Sequence, residues 1–252
     1  MTKQINFRLL YKVLLSLVLT IGVLMVRITL GQANHVHYLD TLKRELTRPW
    51  PDNRTINLVF HGHSVPSGYF KTPRVNTLEA YPYVLLGLLK DRYPNAVINS
   101  IVTAIGGENS AQGVLRMDSE VLPHRPDVLF IDYGLNDRRI PLDKAEASLR
   151  NMIESARIRG IRVILLTPSP DISVDWTAAS GDLSKQRQLI SALAQDYQVG
   201  LVDVYGMFLK LIKHGDDLSG YMAQSNHPNA LGHRVIAEGI WPFFVDDTTG
   251  GW

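Results

Sequence analysis

Five short apolar runs punctuate the chain: Ile56–Phe60, Ala96–Thr103, Val128–Tyr133, Val163–Thr167 and Gly200–Val204. Each is 5–8 residues long, rich in Val and Ile, and nearly continuous in apolar character. Strands buried on both faces have this pattern. Between the runs lie segments of helical spacing, Thr77–Tyr93, Leu142–Ile158, Leu183–Tyr197 and Ala230–Phe244. In the first of these, Leu78, Tyr81, Val84, Leu85, Leu88 and Leu89 fall on one face. A short amphipathic piece, Tyr38–Leu46, predicts a leading helix. Strands alternating with helices predict an α/β domain, a three-layer α/β/α sandwich around a five-stranded parallel sheet with right-handed crossovers.

No repeat, low-complexity tract or linker interrupts this alternation. The simplest reading is one domain from about Asp52 to Phe244, followed by a loose tail, Val245–Trp252. At 252 residues the chain can bury a sizeable core without help from disulfides, and it has no Cys. That also removes thiolate nucleophiles and Cys-based zinc sites.

The first 33 residues read differently. Lys3, Arg8 and Lys12 make a basic start, and Val13–Val26 runs without a charge. As a helix this run spans about 21 Å, short of the roughly 30 Å hydrocarbon core of a bilayer. Gly31-Gln32-Ala33 places small residues as at a cleavage site. Residues 1–33 are therefore read as a secretory signal peptide, with an uncleaved membrane anchor as the alternative. Residues 34–51 form a leading segment, and residues 52–252 the domain. Segment 1–33 carries four of the basic residues and no acid, so the formal net charge of +2 becomes −2 for the remainder. A domain of that balance has no basic footprint for nucleic acid. The expected location is periplasmic or extracellular, with a membrane tether if the anchor is retained.

Open parallel α/β sheets bind ligands at the carboxyl ends of their strands. The loops there are His61–Gly68, Ile105–Gln112, Gly134–Arg139, Pro168–Asp175 and the stretch from Tyr205 onward, completed by the segment before the last helix. The first holds Ser64 in the run His61-Gly62-His63-Ser64, placed to act as a nucleophile. The second holds Gly106-Gly107, whose backbone can approach a ligand and aim N–H groups at it. The third holds Gly134-Leu135-Asn136-Asp137, where the Asn136 amide can donate to a developing oxyanion. Before the last helix stands Asn226-His227-Pro228, and His227 can serve as a general base. Each feature alone has an ordinary structural use in a turn or cap.

Together and in this order, the four segments resemble the conserved blocks of the SGNH (GDSL-like) hydrolase family, from about Leu58 to Ala237. The resemblance implies a flavodoxin-like sheet and a serine esterase without cofactor or metal. It implies Ser64 as nucleophile and His227 as base, with the Ser64 N–H, the Gly107 N–H and the Asn136 amide forming the oxyanion hole. Two departures stand out. The family's Gly-Asp-Ser is Gly62-His63-Ser64 here. Its triad Asp, three residues before the His, is Gln224, which can accept a hydrogen bond but supplies no charge. The imidazole is then oriented by Gln224 or by a backbone carbonyl, or backed by another acid, of which Asp216 and Asp217 are nearest upstream.

Family members hydrolyse acetyl groups on polysaccharides, short-chain esters, lysophospholipids and thioesters. Tyr69, Lys71, Arg74, Arg138 and Arg139 fall on or near the rim loops and suit a sugar, with arginines matched to carboxylates. The expectation is a carbohydrate O-acetylesterase acting on a small-molecule or polysaccharide ester. An O-acyltransferase and a catalytically weak glycan-binding protein are the alternatives.

Overall fold

The computed structural model describes residues 37–246. The signal-peptide or anchor segment and most of the tail lie outside the described residues. Five parallel strands form one sheet: β1 (Thr55–Gly62), β2 (Val97–Val102), β3 (Val128–Asp132), β4 (Arg162–Leu166) and β5 (Gly200–Val202). Their order is β2-β1-β3-β4-β5. All five apolar runs are strands. The central β3 is buried at every position, as a strand covered on both faces must be. β2 lies at the edge, and Val97 and Asn99 are exposed there.

The helices are α1 (Asp40–Leu46), α2 (Tyr81–Arg92), α3 (Ser110–Gly113), α4 (Gly134–Asp137), α5 (Leu142–Arg157), α6 (Asp182–Tyr197), α7 (Val204–His214) and α8 (Ala230–Ile240). α2 packs on α8, and α5 packs on α6. Because β1 connects leftward to β2 while β3, β4 and β5 step rightward, right-handed crossovers put these pairs on opposite faces. The core is centred on the stacked rings of Phe60 and Phe130, 4.4 Å apart, with Tyr81 edge-on to Phe60. Among the described residues no helix is long and apolar enough to cross a membrane.

Four expectations change. The segment Gly134–Arg139, expected as a rim loop, begins with the short helix α4 (Gly134–Asp137). The helix predicted from Thr77 starts at Tyr81: Ala80 is extended and Pro82 occupies the first turn, so Thr77–Glu79 forms a separate 3₁₀ turn and Leu78 is 80% exposed. The stretch after Tyr205, expected as a rim loop, is helix α7. Asp203 caps its start, accepting from the Gly206 N–H at 3.2 Å, and Gly215 ends it at φ +94°. The beginning of the tail is not loose, since Val245 is buried and Asp246 pairs with Lys43.

The leading helix docks at the amino end of the sheet. The Tyr38 hydroxyl donates to the Val163 carbonyl at 2.9 Å, and Leu39, Leu42 and Leu46 are buried. The carboxyl ends of the strands, and the loops that follow them, lie at the opposite end.

Candidate active site

Ser64 follows β1, and Asn136 lies on α4 just past β3. The strand order reverses at β1, and this crevice between β1 and β3 is where a doubly wound sheet opens for a ligand. His227 stands on β7 (His227–Pro228), a two-residue strand paired antiparallel with β6 (Met222–Gln224). This small ladder swings the segment before α8 back over the sheet's carboxyl end.

The Ser64 Oγ lies 3.0 Å from the His227 Nε2. On the other side of the ring, Nδ1 lies 3.1 Å from the Phe70 carbonyl oxygen. A carbonyl only accepts, so Nδ1 carries the proton and Nε2 presents its lone pair to the serine hydroxyl. Burial pushes the His227 pKa down, and the bond to Phe70 opposes that shift. His63 lowers it further, while Asp171 raises it.

Gln224 is not the partner of that ring. It faces His227 across the β6–β7 ladder, but its Oε1 accepts from the Thr72 N–H at 3.0 Å and its Nε2 donates to the Asn226 Oδ1 at 3.1 Å. Of the readings left open by the sequence, the backbone carbonyl is the one seen. Asp216 and Asp217 are used locally: Asp216 accepts from the Tyr221 hydroxyl, and Asp217 caps the turn at Ser219.

Gly107 adopts φ +83°, a backbone conformation natural to glycine. The N–H groups of Ser64 and Gly107 donate to no protein acceptor among the described residues. The Asn136 Nδ2 donates to the Glu108 carbonyl at 2.9 Å. That bond uses one of the two amide protons and locks the side chain beside the Gly107 loop. The loop is held from below as well. Asp137, its pKa raised to about 6 by burial, accepts from the Ser110 N–H at 2.7 Å.

Two buried polar groups support these loops. The first replaces the family's Asp with His63, which is fully buried. Its Nδ1 accepts from the Val65 N–H at 3.1 Å, and its Nε2 faces the Asp132 carboxylate at 3.4 Å. Asp132 in turn accepts from the Tyr81 hydroxyl at 3.1 Å. The second lies under the Gly107 loop. Glu108 forms a two-pronged pair with Arg116, at 2.9 and 2.5 Å, and accepts from the Tyr133 hydroxyl at 2.9 Å. Tyr133 and the Gly113 carbonyl both meet the ring of His61. Phe70 and the Glu108 network do not stand out in the sequence, because a carbonyl leaves no side-chain signal and Glu, Arg and Tyr are common in any loop; His63 does, as a departure from the family's Asp, but its partners do not.

The rim residues divide. The Tyr69 ring lies 5.9 Å from the His227 ring and against Gly106, where a Cβ would approach the ring to 2.7 Å. Arg138 pairs with the buried Asp171 at 2.6 Å. Arg74 lies over the Phe70 ring and donates to Asn76. Arg138 is thus engaged within the protein, while Lys71, Arg74 and Arg139 are exposed. Among the described residues no cluster of side chains is arranged to hold a metal ion.

A hydroxyl, an imidazole and free backbone N–H groups thus gather at the carboxyl end of a five-stranded parallel sheet. Residues 60–235 match the GDSL-like Lipase/Acylhydrolase family, and the chain belongs to it. It is a hydrolase acting on ester bonds. Among its curated relatives, an acetylxylan esterase of Geobacillus stearothermophilus is 22% identical over 173 residues, covering 62% of this chain and 77% of that protein. An isoamyl acetate-hydrolyzing esterase 1 homolog of Rattus norvegicus is 26% identical over 143 residues, 46% of this chain and 55% of that protein. The fold is shared with the crystal structure of Axe2, an acetylxylan esterase from Geobacillus stearothermophilus, at a TM-score of 0.65 and 21% identity over 75% of this chain and 94% of that one. Catalytic variants of Axe2 have been solved at a serine, an aspartate and a histidine, the aspartate three positions ahead of the histidine.

The Glu108–Arg116 pair yields a stability test. Arg116→Ala leaves a buried carboxylate with only a tyrosine hydroxyl, and the expected loss is about 3 kcal/mol or more. Arg234→Ala breaks a pair on the surface of α8, with an expected loss under about 0.5 kcal/mol. Urea unfolding measures both. Equal losses would show that the network under the Gly107 loop does not support the fold.

Proposed function

We propose that the protein hydrolyses short O-acyl esters, O-acetyl groups on a carbohydrate foremost, by a Ser64–His227 acyl-enzyme mechanism. The observation that carries this reading is the imidazole held at both nitrogens, Nδ1 on the Phe70 carbonyl and Nε2 on the Ser64 hydroxyl. His227 takes the hydroxyl proton as Ser64 Oγ attacks the ester carbonyl carbon. The C=O electron pair moves to oxygen, which in this reading accepts from the N–H groups of Ser64 and Gly107 and the Asn136 amide. One such donor contributes about 3 kcal/mol to the transition state. His227 then gives its proton to the departing alcohol oxygen as the C–O bond breaks. Water, deprotonated by the same imidazole, releases the acid and restores Ser64.

The charge that a triad carboxylate would supply is absent from Nδ1. In serine proteases, replacing that Asp by an amide costs about 10⁴ in turnover, chiefly by imposing the wrong tautomer. A carbonyl acceptor imposes the right one, so the penalty here is confined to the missing charge. Tyr69, lying between the His227 ring and Gly106, crowds the site and favours a small acyl group. The acetyl specificity named for two relatives points the same way. With Arg138 paired to Asp171, the exposed Lys71, Arg74 and Arg139 are the cations left at the rim to meet a sugar.

Turnover of p-nitrophenyl acetate and release of acetate from acetylated xylan are the expected activities. Ser64→Ala is expected to abolish both. Equal rates in wild type and variant would leave a binding protein without turnover, and activity confined to long-chain esters would contradict the acetyl reading. The pH profile is a second check. Because His227 acts as the neutral base and burial lowers its pKa, kcat/KM is expected to rise with pH along a limb centred below about 6.5, the ordinary histidine value. A limb well above that value would contradict a buried imidazole without a carboxylate partner.

A further inference from the structure

Residues 68–76 form a small hairpin over the site. The Phe70 N–H donates to the Arg74 carbonyl at 3.0 Å and the Asn76 N–H to the Gly68 carbonyl at 2.8 Å, around a bridge between Tyr69 and Val75. The hairpin is fastened at two points. At one, the Tyr69 N–H donates to the Ser64 carbonyl at 3.0 Å. At the other, the Thr72 N–H donates to the Gln224 Oε1 at 3.0 Å. Phe70, whose carbonyl meets His227, lies between them. The Gln224 amide has only one workable orientation here. Its oxygen must accept from a backbone N–H, and its nitrogen must donate to the Asn226 Oδ1.

We propose that Gln224 is a positioning residue: by holding the Thr72 N–H it keeps the Phe70 carbonyl on the His227 Nδ1, so the position that would otherwise carry an acid secures a neutral acceptor instead. This rests on the ester-hydrolase reading above. Gln224 does not touch the reacting atoms. It acts through two residues of hairpin, and only on the partner of the base. The other groups that bear on the ring's charge, His63 on the nucleophile loop and Asp171 on the loop after β4, with Arg138 paired to Asp171, are unchanged by substitutions at 224.

Two variants of the full chain test this with p-nitrophenyl acetate, alongside Ser64→Ala as the blank. Gln224→Ala removes the acceptor of the Thr72 N–H. It is expected to lower kcat about fivefold to tenfold, the worth of one partly exposed hydrogen bond, with KM within about twofold. The acidic limb should also move to lower pH, because the protonated ring loses its acceptor. Gln224→Glu keeps an oxygen for the Thr72 N–H. It should hold kcat within about threefold of wild type and move the limb to higher pH through the added negative charge. An unchanged kcat and limb in Gln224→Ala would overturn the proposal and leave the hydrolase reading intact, as would equal losses in the two variants. A wild type with no turnover above the Ser64→Ala blank would overturn both. Should Gln224→Ala fail to fold, the kcat and limb of Gln224→Glu decide the matter: a large loss of kcat overturns the proposal.

Discussion

A single imidazole has to be held in one tautomer, with an acceptor on Nδ1 and a hydroxyl on Nε2, at a place where segments far apart in the chain converge. Ser64 comes from the end of β1, Phe70 from a hairpin packed on the nucleophile loop, and His227 from a two-residue strand ahead of α8. The hydrogen bond between the Phe70 carbonyl and Nδ1 decides which nitrogen keeps its lone pair, and in the proposed mechanism that lone pair is the base for Ser64. The hairpin brings Phe70 to that contact and the β6–β7 ladder brings His227.

The fold supplies rigidity by placing buried polar groups beneath flexible segments. A chain of contacts runs from His233 on α8 to the Tyr81 N–H, from the Tyr81 hydroxyl to Asp132, and from Asp132 to His63 beside the nucleophile. It links the helix that follows His227 to the loop that carries Ser64, through the first turn of α2 and the end of β3. On the oxyanion side, Glu108, Arg116, Tyr133 and His61 do the same for the loop of Gly107. Groups buried this deeply are costly unless partnered. A loop that satisfies them has few alternative positions. Axe2 has an aspartate three positions ahead of the histidine among its catalytic variants, and this chain has Gln224 three positions ahead of His227. In the proposed reading, a charge next to the ring is exchanged for a neutral acceptor delivered by the neighbouring hairpin.

Much of this was legible in the sequence. The five Val- and Ile-rich runs are all strands: β1, β3 and β4 need unbroken apolar runs because both their faces are covered, while the edge strand β2 keeps the same composition with its residues half-buried or exposed. Ser64, Gly107, Asn136 and His227 could be picked out because each stands at a strand or helix boundary in a set order. What stayed hidden was what hydrogen-bond geometry decides. The Phe70 carbonyl carries no side-chain signature, and the family resemblance leaves Gln224, a backbone carbonyl and another acid all open as the partner of His227. Arg138 read as a free rim cation until its pairing with Asp171, 33 residues away, was seen. Helix α7 was missed because Gly206 weakens its first turn, and only the Asp203 cap and Gly215 stop mark its ends.

The most direct measurement is the state of Ser64 during turnover. Mass spectrometry of protein quenched in acid during reaction with p-nitrophenyl acetate should find the acetyl group on the peptide containing Ser64. The label should vanish in Ser64→Ala and fall sharply in His227→Ala. Acetate release that continues with no acyl group on Ser64, or with undiminished labelling after loss of His227, would contradict the account of a serine activated by that imidazole.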